Sequence, residues 1–307
     1  MPNRETPSPH PSNAYLLAFV LFLLAAFISA ANVATAGNTP KIRIAILPCT
    51  DIVKTFNNAQ PLRTYLEQQT HRQLEIVVPN TLEEFKRTIQ LGEAEFAFQA
   101  PHTYLQLSDK YDTDNLLKAL TPQGKSQYHG VIVTRWDSGI KKIVDLRGRN
   151  MIFGHPFSTA KWLAPKALLE KKGIDLTKDL KNYTHGDSCE SIAMNIYLGQ
   201  GDAGALCDYS FDEIAENSAP KDDEIPPDAL VIIGTTREIP TWVFTARTGV
   251  DAHTIALVNN ALLKLDRRRP EHRAIMEELD LGGFIRASDH DFDSLRNQLS
   301  QTGSPHQ

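Results

Sequence analysis

The 307-residue sequence is short of several features that would settle its chemistry early. It has no surplus of positive charge. With 32 Lys and Arg against 37 Asp and Glu, its net charge is −5, which excludes the basic stripe of a nucleic-acid binder. An anion must therefore be held by local donors and dipoles, not by the overall field. Cysteine is sparse: Cys49, Cys189 and Cys207 are too few for a disulfide framework and lack zinc-site spacing. In an oxidising compartment two of them can pair, with one left over. There is no G-x-S-x-G elbow, no G-x-x-x-x-G-K-S/T phosphate loop and no internal sequence repeat. Cys189 has no histidine partner close in sequence. His102, His129, His155 and His185 are scattered without an H-x-x-x-H pair and read as loop or surface histidines. These gaps argue against an enzyme, a resident metal or a cofactor.

What is present begins at the N-terminus. A polar, Pro-rich start carries Arg4 as its one basic side chain, and an apolar run follows from Ala14 to Ala31, broken only by Ser29. Ala34-Thr35-Ala36 then offers a small-x-small site before Gly37. This is the pattern of a secretory signal peptide over residues 1–36, cleaved to release the mature chain into the periplasm. An uncleaved anchor is the alternative, because the run approaches spanning length. No cysteine follows the run to carry a lipid, and no later segment is apolar enough to cross a membrane.

From Lys41 onward strands and helices alternate. Ile42, Ile44 and Ile46-Leu47 form a β-branched strand stopped by Pro48. Phe56, Leu62, Tyr65 and Leu66 mark one buried helix face, and Leu74 to Val78 reads as the next strand. Thr81-Leu82-Glu83-Glu84 is a capping box, and Phe96-Ala97-Phe98 is a short buried strand. This βαβαβ order predicts a parallel sheet covered by helices. The middle repeats the theme, with strands at 131–134, 151–153, 203–206, 230–233 and 242–245. Helices are expected at 158–171 and 188–198.

One segment carries direct chemistry. After the strand ending at Phe153, a loop turns through Gly154 and Pro156 and places Ser158 and Thr159 at a helix start. The first amides of a helix have no internal partner and its dipole adds partial positive charge. Two hydroxyls there complete an anion site that needs no Lys or Arg. The plainer reading is that one hydroxyl caps the helix.

At this point the chain resembles the phosphate/phosphite/phosphonate-binding proteins of ABC importers, the PhnD-like group. The resemblance runs from about Lys41 to Thr245. It rests on Tyr128-His129-Gly130 through Ile140, Asp145-Leu146-Arg147-Gly148, and Phe153-Gly154 through Ser158-Thr159, in that order and spacing. It implies an α/β, type II periplasmic binding protein fold, two α/β lobes joined by two crossover strands with a ligand cleft between them. The crossovers are expected near Val131–Arg135 and Val243–Arg247. Lobe I would take residues 37–132 and 246–307, and lobe II residues 133–245.

The resemblance implies ligand contacts at Ser158, Thr159 and Ala160, at Tyr104 and Tyr128, and in the first loop at Cys49, Thr50 and Asp51. It also places Ser188, Cys189 and Glu190 where the family carries Ser-His-Asp/Glu. Cys189 thus replaces a histidine that can donate to an oxyanion, whereas a thiol donates poorly and a thiolate is a soft ligand. A small buried cysteine or a Cys189–Cys207 disulfide is the plainer alternative. An arsenite-sensing branch of the family uses cysteine, so a sensor that docks on a membrane histidine kinase stands beside the importer reading. Glu190 either receives a cationic group of the ligand or closes an Asp187-x-x-Glu190 capping box. Asp208 and Tyr209 either face the cleft or serve as N-cap and packed aromatic. The expected protein is a monomeric solute-binding protein that closes on a small oxyanion and presents it to a membrane ABC permease.

Overall fold

The computed structural model describes residues 41–48, 51–216 and 225–301. The apolar leader, Cys49 and Thr50 lie outside the described residues.

Thirteen strands appear among the described residues. They are β1 Ile42–Ile46, β2 Leu74–Val77, β3 Phe96–Gln99, β4 Leu117–Leu120, β5 Gln127–Tyr128, β6 Gly130–Arg135 and β7 Asn150–Phe153, followed by β8 Asn182–His185, β9 Ala203–Cys207, β10 Leu230–Thr235, β11 Ile239–Pro240, β12 Val243–Ala246 and β13 Gly283–Arg286. The α-helices are α1 Ile52–Asn58, α2 Gln60–Thr70, α3 Leu82–Gln90, α4 Pro101–Gln106, α5 Ala164–Lys171, α6 Cys189–Tyr197, α7 Asp208–Glu216, α8 Ala252–Leu262, α9 Pro270–Glu278 and α10 Asp293–Gln301.

The strands form two main sheets, in the orders β13-β4-β12-β3-β1-β2 and β10-β6-β9-β7-β8. Both share one plan. A parallel trio (β2-β1-β3 or β8-β7-β9) is continued by an antiparallel strand, β12 or β6. Each continuing strand follows directly on one half of a two-stranded ladder, in which Ile239 pairs with Tyr128 and Pro240 with Gln127. The chain therefore passes between the lobes at β5 and β11. The two segments expected to cross, 131–135 and 243–247, instead supply the strands β6 and β12 inside the sheets. Their β-branched density signals burial on both faces, which suits an interior strand. The two-residue ladder leaves no hydropathy signal. Residues 130–132 consequently sit with the second sheet and 243–245 with the first, against the boundaries expected above.

Each sheet is covered on both faces, giving four apolar clusters. In the first sheet Ile44, Leu62, Leu66, Val258 and Phe244 fill one side, while Phe85, Ile89, Tyr104 and Phe292 fill the other. Full burial of each such side chain contributes roughly 1.5–3 kcal/mol. The expected helix from Phe56 to Leu66 is split at Ala59, because Pro61 starts α2 afresh. Phe56 is left exposed on α1.

Candidate ligand-binding site

The carboxyl ends of the parallel strands in both sheets point to one cleft, the usual place for a ligand in open α/β sheets. The cleft holds a cavity of about 640 Å³. Phe98, Thr121, Thr241, Trp242 and Asp280 line it from the first lobe, and Tyr128, Ser158, Lys161, Cys189, Glu190 and Tyr209 from the ladder and second lobe.

The loop after β7 leads into a helix as expected, but its first turn is π-wound over Thr159–Leu163 before α5 begins. The Leu163 N–H donates to the Ser158 carbonyl five residues back. Ser158 caps this helix, its Oγ accepting from the Lys161 N–H at 3.0 Å. The capping reading and the site reading are compatible, because the Ser158 hydroxyl still has a proton to donate into the cavity. Lys161 was not foreseen. It is buried, with Nζ donating to the Asp187 carbonyl at 2.9 Å, and it forms part of the cavity wall. Gly154 makes the room: a Cβ there would stand 2.3 Å from the Lys161 Cβ.

Thr159 does not join Ser158 in facing the cavity. Its Oγ1 lies 2.7 Å from His102 Nδ1, across the cleft on α4. His102, read from sequence as a loop residue, is buried, and its Nε2 is 3.3 Å from Thr103 Oγ1. Burial pushes this imidazole down to about 4, with the Lys86 charge adding to the effect. The neutral ring therefore stabilises the fold fully above its ordinary pKa near 6.5. Between pH 6.5 and 4 the unfolded chain takes up a proton that the folded one refuses. This should cost about 3 kcal/mol over that interval. Denaturant unfolding at pH 7 and 4.5 should show the drop, and His102→Asn should flatten it.

Tyr104 is also placed differently. It is fully buried in the first lobe, its hydroxyl donates to Asp289 Oδ1 at 2.6 Å, and its ring lies 4.8 Å from Phe292. It supports the lobe and does not line the cavity. Ala160 is buried beneath the helix start, and Asp208 turns back to accept from the Tyr209 N–H at 2.8 Å. Tyr128 lines the cavity with Tyr209, ring centroids 5.7 Å apart.

Cys189 and Glu190 both line the cavity at the start of α6. The capping box here is reciprocal between Ser188 and Ser191, not Asp187 and Glu190, so Glu190 is left facing the cleft. Opposite it, Tyr209 Oη donates across the cleft to Asp280 Oδ2 at 3.2 Å. Asp280 holds a left-handed backbone at φ 51°, and its carboxyl is pushed up to about 7. Partial withdrawal from solvent in the cleft is the first cause, limited by the exposure the side chain keeps, and the charges of Cys189, Glu213 and Glu190 follow. The cavity is thus cationic at Lys161 and acidic along Glu190 and Asp280.

A family model described as ABC transporter, phosphonate, periplasmic substrate-binding protein matches residues 44–292. The chain belongs to that family. Among its relatives, the phosphate-import protein PhnD of Mycolicibacterium smegmatis is 23% identical over 291 residues, covering 88% of each chain. A binding protein component of an ABC phosphonate transporter from Pseudomonas aeruginosa superposes with a TM-score of 0.69 at 16% identity, over 86% of both chains. PhnD1 of Prochlorococcus marinus, in complex with methylphosphonate, gives 0.68 at 14% identity, over 85% of this chain and 97% of that one. These likenesses establish the periplasmic binding protein fold. The family is one of substrate-binding proteins of transport, not of enzymes, and its place is the periplasm.

Proposed function

We propose that this chain captures a small phosphorus oxyanion in the cleft and delivers it to an ABC permease, the two lobes closing about the ladder of β5 and β11. One observation carries the reading. The Lys161 ammonium, the Ser158 hydroxyl and the starts of two helices converge on a single cavity between the lobes. Unpartnered amides and aligned dipoles favour an anion at each helix start. An ammonium held in the wall adds a charge-assisted donor. An anion bridging the lobes would bind the closed state more tightly and so shift the population toward it.

Phosphate, phosphite and alkylphosphonates share this head group, and the cavity leaves space for a substituent. The acidic side formed by Glu190 and Asp280 favours a substituent that carries an amine. The family match supports an importer over a kinase-linked sensor.

Titration calorimetry with phosphate, phosphite, methylphosphonate and 2-aminoethylphosphonate tests the proposal. Ser158→Ala combined with Thr159→Ala should weaken oxyanion binding by about tenfold, the loss of one hydrogen bond to a charged group. The greater share of that loss should fall on Ser158→Ala alone, because Thr159 is engaged with His102. Unchanged affinity in the double variant would sink the proposal.

A further inference from the structure

Cys189 opens α6 and Cys207 closes β9, two elements packed together in the second lobe. Both side chains are buried, and both form part of the cavity wall. The Cys207 N–H donates to Cys189 Sγ at 3.3 Å. That sulfur is therefore within about 4.8 Å of the Cys207 Cα, one N–Cα bond of ~1.46 Å farther on. Lys161 lines the same cavity as the two thiols. Ser210 lines that cavity beside them, and Asp280 lines it from the other lobe. A sulfur so close to its partner's backbone leaves a short gap for a disulfide to close.

The electrostatics divide the roles. The hydrogen bond from Cys207 and then the Lys161 charge hold Cys189 below the ordinary thiol range, against the effect of burial. The same pairing, with burial, pushes Cys207 up. Cys189 is accordingly the attacking thiolate of the pair.

We propose that Cys189 and Cys207 are a dithiol–disulfide couple in the cavity wall, and that its oxidation by thiol–disulfide exchange raises the cleft's affinity for an oxyanion. The gating half rests on the capture reading above. The oxidant is a disulfide, RSSR. Cys189 thiolate attacks one sulfur, forming a mixed disulfide and releasing RS⁻. Cys207, giving up its proton, then attacks Cys189 Sγ, forming the internal disulfide and releasing the second RS⁻. Two protein thiols are oxidised, one RSSR is reduced to two RSH, and no atom is left over.

The effect on binding follows from charge. In the reduced form the lowered Cys189 thiol carries negative charge on the cavity wall that also presents Lys161, and that charge repels an incoming anion. Oxidation removes the negative charge and leaves Lys161 to the ligand. An oxidising compartment, where disulfides persist, would hold the couple in its binding-competent form.

The test uses the chain carrying Cys49→Ser, so that the third thiol cannot exchange. Samples equilibrated with oxidised glutathione or with dithiothreitol are digested for peptide mapping and titrated with inorganic phosphate and methylphosphonate. A Cys189–Cys207 linked peptide is expected only in the oxidised sample, with binding tighter there by roughly tenfold or more. Cys189→Ser, which lacks the thiolate, should bind in dithiothreitol as the oxidised parent does. Cys207→Ser should stay weak in dithiothreitol. Glutathione adducts without an internal link would overturn the couple. A link with equal affinity in both states would overturn the gating. A link formed while neither state binds any oxyanion would overturn the gating together with the capture reading, leaving the couple standing.

Discussion

Lys161→Met is expected to reduce oxyanion affinity about a hundredfold while leaving the chain folded. Truncating one partner of a buried, hydrogen-bonded charge pair costs on the order of 3 kcal/mol, roughly two powers of ten in affinity. Two features make this larger than the effect of removing a surface lysine. The side chain is buried, so its attraction to the ligand is little screened. Its Nζ is also held in place by the Asp187 carbonyl, which spares the ligand the cost of ordering a long flexible chain. Methionine keeps the length and apolar stem that pack against Gly154. Circular dichroism and the unfolding midpoint should therefore stay close to the parent values. Calorimetric titration with methylphosphonate reads the loss. An unaltered dissociation constant would mean that the anion is held elsewhere in the cleft.

Gly130→Ala is expected to be severely damaging for so small a substitution. A Cβ at Gly130 would stand 2.3 Å from the Ala160 carbonyl oxygen and 3.1 Å from Thr236 Cγ2. The nearer atom belongs to the backbone of the π-wound turn, so no side-chain rotation can relieve the contact. The strand and the site helix must separate. Overpacking of this kind costs about 3 kcal/mol, the upper end of the usual range, when backbone has to move. In a chain of this size that lowers the melting temperature by on the order of 10 °C. Ligand affinity should fall with it, because the displaced turn carries Ser158 and Lys161. Scanning calorimetry with and without methylphosphonate separates the two effects. A melting temperature within a degree of the parent would show that β6 and the site helix are free to part at little cost.

Much of the local structure is legible in the sequence. The Thr81 cap is present, its Oγ accepting from the Glu84 N–H at 3.0 Å, although the Glu84 carboxylate reaches Asn80 instead of completing the box at Thr81. Asp251 caps α8, its side chain accepting from the Thr254 N–H. Ser158 stands at a helix start because a capping hydroxyl after a strand and a Gly-Pro turn leaves the backbone few alternatives. The residues that stand apart from the cavity share a cause. Tyr104 follows a strand and a proline, which locates it near the cleft but says nothing of which way its ring turns. Packing against Tyr111 and Phe292 decides that. Thr159 carries the same hydroxyl as Ser158, yet its partner His102 is 57 residues away in sequence.

Lys161 escaped for a reason of period. A lysine one turn into an amphipathic helix ordinarily reads as a solvated side chain. Here the first turn is wound to five residues, which alters the facing of the side chains along it, and Gly154 leaves the gap that Lys161 fills. The one sequence signal was Gly154 itself, a glycine with no positive φ to justify it. Asp280 gave less warning still, since nothing in its neighbours marks a left-handed aspartate at the edge of a cleft.

The order of the strands has a consequence for the making of the protein. Every strand of the second sheet lies between residues 130 and 235, so that sheet is complete once this stretch has emerged. The first sheet is started earlier and finished later. Its strand β12, which joins β3 to β4, arrives only at residues 243–246, and its edge β13 only at 283–286. A chain threaded out from its N-terminus therefore completes its second half before its first. Until β12 arrives, β3 and β4 have no strand between them. A chain cut after residue 242 would keep one finished sheet and one divided into two unpaired pieces. The lobe that begins the sequence is the last to become a lobe.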